Sequence, residues 1–193
     1  MKKALLVIDV QNIYTNRDSE LFCRDSKKTT ERINQIITGF ESKKLPIIYV
    51  RHIHKEDGSD LGRMFDYSGE FEGFNFKENS IDVEFDSNLV QVENSYKIVK
   101  KRYSAFERTD LDQYLKKNNI ERIVIVGFMT NFCCESTARE AHDKDYYVDF
   151  VIDATGTPGT DNLDEKEIRK IVAELLKSGF ATIYKTKDYI NNI

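Results

Sequence analysis

The chain alternates short runs of aliphatic and β-branched residues with longer segments in which apolar residues recur every three or four positions. The short runs are typical of buried strands, and the longer segments of amphipathic helices. The pattern predicts strands at residues 3–9, 46–51, 96–100, 122–127, 147–152 and 181–184. It predicts helices at residues 25–42, 109–117, 133–144 and 164–178, with Thr109 as a cap. Such alternation indicates an α/β, three-layer doubly wound fold (Rossmann-like) with a six-stranded, mainly parallel sheet.

This fold class predicts where the functional residues lie. Doubly wound sheets bind ligands outside the carboxyl ends of their strands, where the winding reverses. At the ends of the first four predicted strands, or directly after them, lie Asp9, Arg51 and His52, Lys100, and the stretch 128–133. We therefore expect these residues, distant in sequence, to meet in one crevice.

Composition narrows the class of protein further. With 193 residues, 40% of them hydrophobic, the chain can bury a core as one domain spanning residues 1–193. A net charge of -4 without a basic stretch argues against nucleic acid as a partner. No apolar run approaches the roughly 20 residues of a membrane span, and the run at 4–8 is too short for a signal peptide. Three cysteines without disulfide or zinc spacing suggest a reducing cytoplasm.

The end of the first strand carries an acid but no phosphate loop. The turn reads DVQNIY and lacks the glycines that let backbone approach a pyrophosphate, so a dinucleotide site is excluded. A partly buried carboxylate such as Asp9 is suited to accept a proton or to pair with a cation. Taken alone, Asp9 is also compatible with an ordinary turn residue.

A cysteine follows the fourth strand at the predicted start of a helix. Cys133 lies six residues after Gly127, where free amides and the helix dipole are expected to lower the thiol pKa and direct it toward accessible space. Cys134 is turned about 100° around the helix and is predicted to face the core. Cys133 is therefore the candidate nucleophile of the pair.

Three strings occur in order along the chain: LLVIDVQN at 5–12, KKRYSAF at 100–106 and GFMTNFCCESTAREA at 127–141, followed by DAT at 153–155. Together they resemble the signatures of the isochorismatase-like cysteine hydrolases, over essentially the whole chain. The resemblance implies a catalytic triad of Asp9, Lys100 and Cys133. It also implies oxyanion-binding N–H groups at Met129 and Cys133, set by a cis peptide between Phe128 and Met129.

The implied reaction is hydrolysis of a C–N amide or carbamoyl-type bond of a small molecule through a thioester on Cys133. Isochorismatases proper resemble this chain but carry glycine at the nucleophile position, so Cys133 argues against vinyl ether hydrolysis. That reaction stays open as an alternative, as does a non-catalytic small-molecule or redox-sensing module on the same fold.

The site is expected to need no metal or other cofactor. Nicotinamidases resemble this chain too, but bind a metal through Asp-x-His after strand two, where this chain reads RHIH at 51–54. His52 and His54 alone are a weak metal signal and are interpreted as solvated loop residues.

The stretch 64–76 holds five aromatic residues before the third strand. It fits a pocket wall, ordinary loop packing or a contact between copies of the chain. Because the resembled family commonly assembles, we expect a homo-oligomer, a dimer or tetramer.

Overall fold

A computed structural model describes residues 1–71 and 73–193; Glu72, inside the aromatic stretch 64–76, lies outside the described residues. Six strands form one sheet in which every pairing is parallel. The strands are β1 (Lys3–Ile8), β2 (Ile47–His52), β3 (Tyr96–Lys100), β4 (Arg122–Phe128), β5 (Tyr147–Gly156) and β6 (Thr182–Tyr184). The predicted fold class is confirmed.

Helices cover both faces of the sheet. They are α1 (Asn12–Thr15), α2 (Ser26–Ser42), α3 (Leu111–Lys117), α4 (Glu135–Asp143), α5 (Glu165–Lys177) and α6 (Thr186–Ile190). Alternate residues of β1 separate two cores: Leu6 packs with α3, α4 and α5, whereas Leu5 packs with α1, α2 and α6. The uninterrupted apolar run of β1 follows from this burial on both faces.

In the strand order β3-β2-β1-β4-β5-β6, the chain adds β2 and β3 on one side of β1 and then crosses to add β4, β5 and β6 on the other. The winding of the sheet therefore reverses between β1 and β4. Gly127, in β4, pairs with Ile8 at this switch point and has a φ of +126°. A Cβ at position 127 would lie 1.9 Å from the Ile8 carbonyl oxygen, so glycine alone allows this approach. The two strand ends that carry Asp9 and the 128–133 stretch are thereby held side by side.

Several boundaries differ from the sequence prediction. Asp110, not Thr109, occupies the capping position of α3, but the Thr109 hydroxyl still accepts from the Leu111 N–H at 3.3 Å and donates to the Ala105 carbonyl. β5 continues to Gly156, past a register shift opposite β4, so the DAT string lies within the strand. The short helices α1 and α6 carry too little periodicity to be predicted.

None of the helices in the described part of the chain combines the length and apolar character needed to cross a membrane.

Candidate active site

Asp9, Lys100 and Cys133 meet at the carboxyl edge of the sheet. The Lys100 Nζ lies 2.8 Å from Asp9 Oδ2 and 3.2 Å from the Cys133 sulfur. A carboxylate oxygen of Asp9 and the Cys133 sulfur are within 4.8 Å of each other. All three side chains are buried, with Cys133 2% exposed. We refer to these residues as the triad.

The local backbone positions the Asp9 carboxylate and the Lys100 ammonium. Asp9 has a left-handed backbone (φ 50°), which aspartate tolerates better than most residues, and its N–H donates to the Val50 carbonyl at 2.9 Å. Lys100 ends β3, and its ammonium also donates to the Arg102 carbonyl at 3.0 Å. The ammonium is therefore fixed between the two other members of the triad.

The nucleophile lies in a π-helical turn, Thr130–Cys134, that precedes α4. The Thr137 hydroxyl donates to the Cys133 carbonyl at 2.6 Å and accepts from the Ala105 N–H at 3.0 Å. Thr137 thus ties the turn to the SAF segment that follows Lys100. Sequence reasoning missed this role, although Thr137 and Ala105 both fall within the resembling strings.

The predicted low pKa of Cys133 is wrong. Burial raises its thiol pKa to about 12, because the thiolate would lose its hydration; the Lys100 ammonium opposes this increase and the Asp9 carboxylate adds to it. The expectation of an accessible thiol fails for the same reason, since the sulfur is buried. At neutral pH the resting nucleophile is a thiol that needs a proton acceptor.

Asp9 is suited to accept that proton. Burial raises the pKa of its carboxyl group, although the charge of Lys100 acts against the increase. Burial alone would lower the pKa of Lys100, but the Asp9 carboxylate and Cys133 outweigh it and raise that pKa. Lys100 therefore stays an ammonium while Asp9 can gain and release a proton.

The peptide bond between Phe128 and Met129 is cis. Met129 precedes the π-helical turn and is largely buried beside Cys133. The use of the Met129 and Cys133 N–H groups as oxyanion donors stays a prediction.

Lys101 and Cys134, the chain neighbours of Lys100 and Cys133, lie away from the triad's chemistry. Cys134 is fully buried, and burial raises its thiol pKa well above the usual value. Lys101 turns to Asp60, with its Nζ 2.8 Å from Oδ2. The buried position of Cys134 agrees with the core-facing orientation predicted for it.

The interpretation of His52 and His54 as solvated loop residues is wrong. Both are buried, and their Nε2 atoms lie 2.9 Å apart. The Nδ1 of His54 lies 3.1 Å from Asp60 Oδ1. We call His52, His54 and Asp60 the histidine chain; a turn at residues 55–61 brings Asp60 back to His54, and His54 itself pairs with Lys77.

Gln11 is a second residue that sequence reasoning missed. Its side chain is fully buried, accepts from the His52 N–H at 2.8 Å and donates to the His52 carbonyl at 3.0 Å. It also donates to the Val83 carbonyl. Its place in the string LLVIDVQN was the available signal.

Because the chain resembles nicotinamidases, which bind a metal, the residues beside the triad are candidates for metal ligands. Within the described residues, one group of three possible ligands lies close together: Asp9, His52 and Cys133. The Lys100 ammonium contacts two of the three, so a metal ion there would be repelled by a fixed positive charge. In His54, both ring nitrogens already face partners. These residues do not fit a bound metal.

The aromatic stretch divides into two parts. Phe65 and Phe76 pack over the histidine chain, and the Phe76 ring stacks on His52 with centroids 4.4 Å apart. Tyr67 and Phe71 are exposed. The inner part packs on the histidine chain; its use as a pocket wall, and a contact between copies through the outer part, stay predictions.

Comparison with known proteins identifies the family. A family model described as the isochorismatase domain matches residues 3–187. Nicotinamidase 3 of Arabidopsis thaliana is 32% identical over 80% of this chain and 73% of its own length. The ureidoacrylate amidohydrolase RutB of Acinetobacter baylyi is 27% identical over 97% of this chain and 82% of its own. A cysteine hydrolase from Pseudomonas syringae pv. phaseolicola superposes with a TM-score of 0.90 at 25% identity, covering 98% of this chain and 91% of that one. The chain belongs to the isochorismatase family of hydrolases.

Proposed function

We propose that the protein hydrolyses a C–N amide or carbamoyl-type bond of a small molecule, with Cys133 as nucleophile. The observation that carries the proposal is the Lys100 ammonium, held 2.8 Å from Asp9 and 3.2 Å from the Cys133 sulfur in a buried site. Two relatives whose names denote amide hydrolysis, the nicotinamidase and the ureidoacrylate amidohydrolase, support it.

The first half of the reaction forms a thioester. Asp9 takes the thiol proton while the sulfur bonds to the carbonyl carbon, and the C=O electron pair moves to the oxygen. Donors at the Met129 and Cys133 N–H groups would stabilise that oxyanion. When the C=O bond re-forms, the C–N bond breaks and the nitrogen takes the proton from Asp9, leaving as ammonia or an amine.

The second half releases the acid. A water gives a proton to Asp9 and attacks the thioester carbon. As the tetrahedral species collapses, the S–C bond breaks and the sulfur recovers the proton from Asp9. Throughout both halves, Lys100 keeps its charge and stabilises whichever of its two partners is anionic.

The test is a screen for ammonia release over small amides and ureides, with Cys133→Ala as the inactive variant and Cys134→Ala as the matched control. Wild type and Cys134→Ala should release ammonia from the same substrates, and Cys133→Ala should not. Mass spectrometry of the quenched enzyme should show the acyl group on Cys133. A turnover that survives Cys133→Ala would refute the proposal.

A further inference from the structure

We propose that Nδ1 of His52 accepts a hydrogen bond from an N–H of the scissile amide, and that the histidine chain thereby selects amides and ureides over esters. The inference rests on the proposed function and adds a specificity-determining residue to it. It follows from the placement of hydrogens along the chain of residues that ends beside the triad.

The first hydrogen is placed by Asp60. Its carboxylate meets the Lys101 ammonium at 2.8 Å and the Lys55 N–H at 3.2 Å. Although partial burial acts in the opposite direction, these donors and His54 lower the Asp60 pKa to about 2. Asp60 is therefore an anion at neutral pH and can only accept, so the Nδ1 of His54 carries a hydrogen.

The second hydrogen follows from the neutrality of both rings. Burial lowers the pKa of His54, and it lowers the pKa of His52 well below its usual value with help from the charge of Lys100. A neutral His54 with a hydrogen on Nδ1 has a lone pair on Nε2. The 2.9 Å contact between the two Nε2 atoms then requires the hydrogen on His52 Nε2. His52 Nδ1 is left as an acceptor.

The His52 ring lies beside the reacting groups. A ring nitrogen of His52, a carboxylate oxygen of Asp9 and the Cys133 sulfur are within 4.8 Å of one another. Nδ1 is buried and has no hydrogen-bond partner anywhere in residues 1–71 and 73–193. The ring is held by stacking on Phe76 and by its Nε2 contact with His54, while the paired bonds with Gln11 hold the His52 backbone.

The acceptor discriminates between leaving groups. An amide or ureide nitrogen that carries a hydrogen can donate to His52 Nδ1 while it takes the Asp9 proton. An ester oxygen has only lone pairs there, which repel the lone pair of Nδ1 and leave a buried acceptor unpaired. Sites built on a buried hydrogen-bond partner reject analogues that lack the matching group.

The kinetic test compares a primary amide with the methyl ester of the same acid, using the best amide from the ammonia screen. His52→Phe keeps an aromatic ring against Phe76 but removes the acceptor. We expect kcat/KM for the amide to fall about tenfold or more and that for the ester to change less than about threefold. Equal losses on both substrates, or none on either, would overturn the inference.

A second variant changes Asp60, which is less buried than His52, so that a loss of folding in His52→Phe does not leave the inference untested. Asp60→Ala removes the carboxylate that fixes the hydrogen on His54 Nδ1. The amide-to-ester ratio of kcat/KM should therefore shift in the same direction as in His52→Phe, by a smaller factor. Lys101→Met is the matched control: it removes the ion pair with Asp60 but leaves the Asp60 to His54 contact, so the ratio should stay at the wild-type value. A shift in Lys101→Met as large as that in Asp60→Ala would contradict the role of the chain.

Nitrogen-15 NMR of the histidine rings tests the tautomer without any substrate. His52 should be neutral with the hydrogen on Nε2, and a hydrogen on Nδ1 would overturn the inference whatever the activity. If no Cys133-dependent hydrolysis is found, the proposed function fails and this inference fails with it. If amide hydrolysis depends on Cys133 but the amide-to-ester ratio is the same in His52→Phe as in the wild type, only this inference fails.

Discussion

The triad and the histidine chain are neighbouring buried polar groups at the same edge of the sheet, yet they are held together differently. The triad is an ion pair with a thiol, and all of its side chains are buried. The histidine chain consists of two neutral rings and ends at Asp60, which is partly exposed. The chemistry of the triad therefore depends mainly on charge. That of the histidine chain depends on which ring nitrogens carry hydrogens.

The largest expected difference between the two groups is in turnover. Asp9→Asn removes the proton acceptor and should lower kcat by at least about a hundredfold, the usual effect of losing a general base. Asparagine also tolerates the left-handed backbone at position 9, so the variant should fold, as circular dichroism would show. Asp60→Asn changes the histidine chain and should cost less than about tenfold. If the two losses were equal, the separation of roles would be wrong.

Stability should also separate them. Lys100→Met leaves the Asp9 carboxylate buried without a cation, which typically costs about 3 to 5 kcal/mol of unfolding free energy. The double variant Asp9→Asn/Lys100→Met removes both charges and should recover most of that loss. Lys101→Met, at the partly exposed Asp60, should change stability by less than about 1 kcal/mol. Urea denaturation measures all three, and a double variant no more stable than Lys100→Met would show that the charges are not coupled.

The smallest expected effect concerns the rate at which Cys133 is alkylated in the resting enzyme, which should be low. Because its pKa is raised to about 12, the thiolate fraction of Cys133 is small at neutral pH and grows about tenfold per pH unit. The rate of iodoacetamide labelling at Cys133 should therefore rise steadily from pH 7 to 9, and Cys134 should react more slowly still. Peptide mapping follows both sites. A labelling rate that levels off below pH 8 would indicate a thiolate stabilised at rest.

The sequence predicted the triad more fully than the histidine chain. Asp9 and Lys100 lie at strand ends and Cys133 in the turn that follows β4, and the switch-point rule places such positions together. Three ordered strings then indicated the family. The pKa of Cys133 was wrongly predicted because its position near a helix start was weighed without the burial of its sulfur.

The histidine chain depends on a loop that pattern alone does not place. His54 and Asp60 meet because a turn at residues 55–61 returns the Asp60 carboxylate to the Lys55 N–H and the His54 ring, and that turn has neither strand nor helix periodicity. His52 and His54 thus resembled ordinary polar loop residues. An adjacent H-x-H pair does not reveal which other side chains will surround it.

Gln11 has a consequence for how the edge of the sheet moves. Strand ends usually fray, and their amide hydrogens exchange with solvent through small local openings. At His52 the Gln11 side chain bonds both the N–H and the carbonyl, and so serves as one more rung of the sheet where β1 has already turned away. The amide of His52 should therefore exchange as slowly as those at the middle of β2, making this strand terminus one of the most rigid parts of the molecule.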